Sequence, residues 1–311
     1  MSEPFTLHTG QSLPRQLIAN VANWNPRELT AGWLASVPAT VAELCDRWQI
    51  TLDPVIPETA ITLVLLGHSS ALGPVVIKSS PLADEFVAEA TALRLASSDN
   101  VARLYEVDLD RSVMVMERIV PGTQLRDVAM SDEEATRLAA EAVATMWKTV
   151  PDPTGLHPLR RWFRALLGDP PVDRIDPGLL RHGQEVATAL LADTSRDRLL
   201  HGDFQHHNLL QRASGEWAII DPKGLVGNPG YEIAAWMYNP PGVTGRDDYL
   251  ELVRRRTTIF SEVWGLDLQV LYSWAFAGAV LSVCWSLADP MPVDWSFQFV
   301  RGAELLRTLV G

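Results

Sequence analysis

The feature that most limits what this chain can be is the stretch LLHGDFQHHNLLQRASGEWAIIDPKG, residues 199–224. Asp203 stands two residues after His201, Asn208 five further on, and Asp221 thirteen beyond that. Short apolar runs at Leu199–His201, Leu209–Gln211 and Trp217–Ile220, with a turn at Ala213–Glu216, read as strands. Phosphoryl transfer needs this set. One carboxylate orients and deprotonates the attacking hydroxyl, while an amide oxygen and a second carboxylate hold the metal ions that bridge nucleotide phosphates. In those roles Asp203 is the base, and Asn208 and Asp221 are the Mg²⁺ ligands. A plain loop-capping aspartate accounts for His201–Asp203, but it does not call for Asn208 and Asp221 at these offsets.

The first half of the chain has a different texture. Thr30–Ser36 and Pro38–Trp48 carry apolar residues at helical steps, with Pro38 suited to a first helical turn. Ile61–Leu66 and Pro74–Lys78 read as strands joined by GHSSALG, and Val113–Glu117 as another, followed by the turn-rich VPGT of Val120–Thr123. Between them, Leu82–Ala96 has a helical stripe of Phe86, Ala90 and Leu93. Lys78 ends its strand where a cation reaching nucleotide phosphates belongs. Glu85 and Glu89 lie four residues apart on one face of the next helix, so either is placed to pair with it.

Beyond Thr123 the pattern is mostly helical. Ser131 and Glu134 form a capping box opening a helix to about Lys148, PDPTG at Pro151–Gly155 breaks it, and Asp176–Pro177 open another to about Ala192. Leu271–Ala288 is uncharged and close to membrane-spanning length. It is interrupted by Ser273, Ser282 and Ser286 and lacks basic flanks, and so reads as a buried helix. The expected architecture is α+β in two lobes: residues 1–118 with a helical leader and a small sheet, and residues 119–311, larger and helical, with the catalytic loop and acceptor site.

Composition narrows the partners. With 26 basic against 38 acidic side chains the net charge is −12 over 311 residues, which disfavours nucleic acid and anionic membranes and attracts a cationic small molecule. No protein partner is implied. Cys45 and Cys284 stand far apart in apolar surroundings, as two reduced buried thiols. The first residues show neither the basic nor the apolar region of a secretory signal, so the expected location is cytoplasmic. His201, His206 and His207 have no cysteine partner that would support zinc.

Taken in order, the strand lysine, helix glutamate, HGD…N and IDPKG resemble the protein-kinase-like small-molecule phosphotransferases. More closely they resemble the aminoglycoside/hydroxyurea phosphotransferase family, which includes streptomycin 6-kinases. The similarity runs through AGWLASVPATVAELCDRW (31–48), AEATALRLA (88–96), ERIVPGTQL (117–125), HGDFQHHNLL (201–210), IDPKGLVGNPGYEIAAWMYNP (220–240) and GLDLQVLYSWAFAGAVLSVCWSL (265–287). The resemblance implies a two-lobed protein-kinase-like fold, ATP or another nucleoside triphosphate, and Mg²⁺. It also implies Lys78 paired with Glu89 on the phosphates, and a hinge at Met116, Glu117 and Ile119 for the adenine. One departure is the loop Asp53–Ala60 over the phosphates, which has two prolines and no glycine, so the contact is looser or falls to Thr59.

Only about ten residues separate Asp221 from the helix near Tyr231, which leaves no room for a peptide platform and favours a small-molecule acceptor. Glu232, Asp289 and Asp294, with Trp236 and Trp285 of the eleven tryptophans, are the expected acceptor-side residues. Carboxylates there suit the guanidinium groups of a streptomycin-like molecule. Lys223 is read equally as a phosphate contact or as the partner of Glu232 or another local acid. The resulting expectation is an O-phosphotransferase acting on a small cationic acceptor, streptomycin at its 6-hydroxyl leading. Hydroxyurea or another small metabolite is the alternative acceptor, and a non-catalytic nucleotide-binding protein the alternative of another class.

Overall fold

Alternation in the N-terminal strands sends their side chains to opposite faces of one sheet, and both faces are covered. The computed structural model describes residues 5–23, 27–57, 61–96, 98–168, 170, 174–288 and 296–310. Helices α1 (Arg15–Asn23) and α2 (Arg27–Trp48) lead into strands β1 (Ile50–Leu52), β2 (Leu63–Ser69) and β3 (Gly73–Ser79). Helix α3 (Ala83–Ala96) and strands β4 (Leu104–Asp108) and β5 (Val113–Glu117) complete an antiparallel sheet in the order β1-β2-β3-β5-β4. Leu63, Leu65, Val75, Ile77, Val113 and Val115 face the leader helices and bury with Val37, Val41 and Leu44. Met114 and Met116, one residue out of phase, join Phe86, Ala90 and Leu93 of α3. Lys78 shares the parity of Val76, which packs on that second side.

The leader differs from expectation at Pro38. Two helices were expected around it, yet α2 is one helix with Pro38 inside. Proline removes one backbone hydrogen bond. However, Trp33, Leu34, Val37, Val41 and Leu44 are all buried across the break, and at roughly 1.5–3 kcal/mol per buried large side chain their packing outweighs the loss. Trp33 also donates its indole N–H to Ser79 Oγ at 3.0 Å, fastening α2 to β3.

Beyond β5 the chain turns into β6 (Pro121–Gln124), which the turn-rich VPGT signature had concealed. Helices α4 (Asp132–Ala144), α5 (Leu159–Trp162), α6 (Arg164–Leu167) and α7 (Pro177–Leu190) follow, with β7 (His157–Pro158) before α5. The capping box is present, Ser131 accepting from the Glu134 amide, and Asp176 caps α7. Strands β8 (Arg198–Leu200), β9 (Leu209–Arg212), β10 (Trp217–Ile219) and β11 (Leu225–Gly227) then form two small sheets, β10-β9-β6 and β7-β11-β8. Helices α8 (Ile233–Met237), α9 (Tyr249–Trp264), α10 (Leu268–Ala288) and α11 (Ser296–Arg307) complete the order. Helix α10 has the length and hydropathy of a membrane span, but 67% of its apolar window is buried among neighbouring helices. Cys45 and Cys284 are free and buried.

One charge organises the helical lobe. The Arg256 guanidinium, 1% exposed, donates to Asp132 Oδ1 from Nη2 at 2.6 Å and from Nε at 3.0 Å. Its Nη1 donates to the carbonyls of Trp236 at 2.6 Å and Asn239 at 2.8 Å. It thereby joins α9 to the start of α4 and the end of α8, with every contact charge-assisted. Arg256→Ala leaves the Asp132 carboxylate and the Asn239 carbonyl without this donor, while the Trp236 carbonyl keeps only backbone amides. The expected loss of stability is about 3–5 kcal/mol, read as a lower urea midpoint; an unchanged midpoint contradicts this role.

Candidate active site

Two strand pairings assemble the site. In β8 and β11, Leu200 pairs antiparallel with Leu225, so the residues leaving β8 (His201–Asp203) face those entering β11 (Asp221–Gly224). In β9 and β10, Leu209 pairs with Ile219, bringing Asn208 beside Asp221; the Ile220 amide donates to the Asn208 carbonyl at 3.0 Å. Gly202 and Gly224 have φ of +84° and +65°. A Cβ on Gly224 would stand 2.2 Å from the Ala88 carbonyl oxygen of α3, so only glycine lets this loop touch that helix. Asp221 itself is left-handed, at φ +57°, a strain of order 1–2 kcal/mol that the surrounding bonds hold in place.

His201 fixes the loop. Its Nε2 donates to the Ile220 carbonyl at 2.8 Å and its Nδ1 accepts from the Asp203 amide at 3.2 Å, which selects the neutral Nε2–H tautomer. Burial pushes its pKa down to about 4. Beneath it, Glu232 accepts the His201 amide at 2.5 Å and the Gly202 amide at 3.1 Å. Burial pushes that carboxyl up to about 7.

Gln205 donates to Asp203 Oδ1 at 2.8 Å, and Asn208 Nδ2 to the Asp203 carbonyl at 2.9 Å, turning the Asn208 amide oxygen away from that bond. Burial raises the Asp203 carboxyl above the ordinary aspartate range, partly offset by Lys223 and His207. Across the lobes, Lys78 Nζ lies 2.6 Å from Glu89 Oε1 and 3.0 Å from Asp221 Oδ1. Burial works against this ammonium, and Glu89 and then Asp221 more than compensate, so it stays charged. The Asp221 carboxyl, which burial raises, is held below its usual range by Lys78 and then Lys223. Glu85, the other candidate on α3, is exposed and lines both an outer hollow with Arg161 and Arg164 and the small hollow that holds Lys78 and Glu89, without bonding the lysine.

A cleft of about 540 Å³ opens at Asp203. Gln205 and Lys223 flank the aspartate, Trp162, Tyr231, Tyr238, Trp285 and Phe299 supply aromatic lining, and Arg126 and His207 add polarity. Of the expected acceptor residues, Trp285 lines this cleft. Glu232 does not, because both its oxygens are spent on loop amides. Trp236 does not either: it is fully buried, stacked on the His206 ring at 3.8 Å, with its indole donating to Thr136 at 3.2 Å. Tyr231, Ala235 and Tyr238 recur at helical spacing and face the cleft, which turns Trp236 into the core. That stripe was the available signal for the missed tyrosines; Gln205 was visible two residues after Asp203, while Trp162 and Arg126 gave none. Asp289, Asp294 and Thr59 lie outside the described residues.

Of the expected hinge residues, Met116 and Ile119 are buried and the Glu117 carboxylate is paired with Arg212. Of the local acids, Lys223 has Asp203 rather than Glu232 as its ion-pair partner, at 3.9 Å between Nζ and Oδ2. Among the described residues no three His, Cys, Asp or Glu side chains gather as a metal cage.

The profile described as "Aminoglycoside/hydroxyurea antibiotic resistance kinase" matches residues 47–290. The chain belongs to the aminoglycoside/hydroxyurea antibiotic resistance kinase family. It is 29% identical over 288 residues to the streptomycin 6-kinase of Streptomyces glaucescens, covering 89% of this chain and 91% of that protein. It is also 27% identical over 262 residues to the hydroxyurea phosphotransferase of Kitasatospora aureofaciens, covering 83% and 75%. Among solved structures, an aminoglycoside phosphotransferase in complex with ADP and hygromycin B superposes with a TM-score of 0.56 at 14% identity, covering 87% of this chain and 98% of that one. The fold is thus protein-kinase-like. As a member of this kinase family, the chain is an enzyme, a small-molecule phosphotransferase.

Glu232→Ala strips the only carboxylate from two buried loop amides. Unfolding should become easier by roughly 2–6 kcal/mol, at about 1–3 kcal/mol per orphaned donor. Glu232→Gln, which keeps one acceptor oxygen, should lose about half as much. Chemical denaturation of the three proteins checks this; equal stabilities contradict the support role.

Proposed function

We propose that this kinase is an ATP- and Mg²⁺-dependent O-phosphotransferase that phosphorylates a hydroxyl of a small acceptor, with streptomycin at its 6-hydroxyl the leading case. The observation that carries the reading is the arrangement around Asp203. A carboxylate made more basic by burial stands between an open cleft and the Lys78–Glu89–Asp221 cluster.

The donor set suits magnesium. Asp221 offers carboxylate oxygen and Asn208 amide oxygen, the hard ligands Mg²⁺ takes alongside substrate phosphates. When bound, Mg²⁺ supplies charge neutralisation at those phosphates. The chain's own part is positioning. Lys78, locked by Glu89, faces the phosphates, and the Met116–Ile119 hinge would meet the adenine through backbone groups other than the Glu117 and Arg118 amides, which donate to the Arg103 and Pro74 carbonyls. Asp203, held by Gln205 and by its own amide's bond to His201 Nδ1, draws the acceptor's hydroxyl proton as the γ-phosphoryl group moves.

A specific observation favours the second acceptor reading, hydroxyurea or another compact, uncharged molecule. Among the described residues lining the cleft, Asp203 is the one carboxylate, set against Arg126 and Lys223, and much of the wall is aromatic. Purified protein with ATP, Mg²⁺ and streptomycin or hydroxyurea should release ADP with one of the two, and Asp203→Asn should lower that turnover about 10³-fold. Full activity in the variant overturns the mechanism, and the preferred acceptor decides between the readings.

A further inference from the structure

We propose that Lys223 is a catalytic residue whose ammonium contacts the γ-phosphoryl group as it crosses to the acceptor; this rests on the kinase reading above. The two lysines of the site are bonded very differently. Lys78 is buried and has two carboxylates at 2.6 and 3.0 Å. Lys223 keeps 39% of its side chain exposed, and its carboxylate partner is 3.9 Å away, beyond hydrogen-bond reach. Holding Asp203 in place is already done by Gln205 at 2.8 Å, so the Lys223 ammonium has donors to give.

Its stem is nonetheless fixed. The Lys223 amide donates to the His201 carbonyl at 2.6 Å, and its Cβ lies 3.3 Å from where a Cβ on Gly202 would stand. From this anchored base the side chain lines two spaces. One is the acceptor cleft with Asp203; the other is a small hollow lined by Lys78, Ser80, Glu85 and Glu89 on the phosphate side. Among the described residues Lys223 and Trp162 are common to both linings, and of the two only Lys223 carries a charge.

The chemistry there calls for a cation. The bond from the γ-phosphorus to the β-phosphate oxygen breaks, a bond to the acceptor oxygen forms, and the hydroxyl proton goes to Asp203. Meanwhile negative charge spreads over three equatorial oxygens. Glu89, Asp203 and Asp221 would repel that charge. A preorganised ammonium at the crossing offsets them where the charge develops.

The test is calorimetric titration of the whole chain, as wild type, Lys223→Met and Lys223→Arg, with Mg²⁺-AMP-PNP and Mg²⁺-ADP. The expected result is that Lys223→Met weakens AMP-PNP about tenfold or more while ADP binding changes less than about twofold, and that Lys223→Arg recovers most of the difference. A merely structural lysine would weaken both nucleotides alike. Equal weakening, or none, with wild type binding both, overturns the role of Lys223 and leaves the kinase reading standing. Wild type that binds neither nucleotide overturns the kinase reading and this proposal with it.

Discussion

The buried ammonium of Lys78 is the interaction on which the site depends. It belongs to a strand of the small sheet, yet one of its two carboxylates, Asp221, comes from the far side of the hinge. A single charge therefore joins the sheet, α3 and the β10–β11 loop. Removing the lysine leaves the buried Glu89 carboxylate facing Asp221 without the cation bonded to both, which is far more costly than the net worth of the pair. The left-handed backbone of Asp221 and the glycine contact of Gly224 with α3 serve the same geometry: they bring that loop close enough for its carboxylate to reach the lysine.

The larger lobe supports the Asp203 loop through buried polar groups rather than through apolar contact alone. Glu232 holds two loop amides from below. The Trp236 ring stacks on His206, and Arg256 stands 5.9 Å from the centre of the same ring. The path from Asp132 through Arg256, Trp236 and His206 thus runs from the start of α4 to the residues flanking Asp203. Buried polar bonds of this kind are directional and costly to break, so the aspartate is held by a rigid surround while its cleft stays open.

Much of this was legible along the chain. The capping box at Ser131, the proline-started α7 and the strand Val113–Glu117 are local patterns, and local patterns survive folding when burial agrees with them. Pro38 and VPGT were misread for the opposite reason. At both places a local breaker signal was overridden by packing or strand pairing that only distant residues supply. At the site, the spacing of Asp203, Asn208 and Asp221 was visible because a hairpin brings sequence neighbours together. Glu232 and Trp236 were assigned outward because polarity and aromaticity do not say which side of a short helical turn faces the cleft.

By itself the sequence determined the chemistry on offer: which carboxylates, amide and lysine exist, and at what intervals a two-strand hairpin can present them. Tertiary structure decided how each is used. Burial made Asp203 more basic, committed Glu232 to the loop amides, spent Lys78 on two carboxylates and left Lys223 with donors free. Those assignments follow from desolvation and from the pairing of residues distant in the chain, Lys78 with Asp221 above all, and neither is written in local spacing.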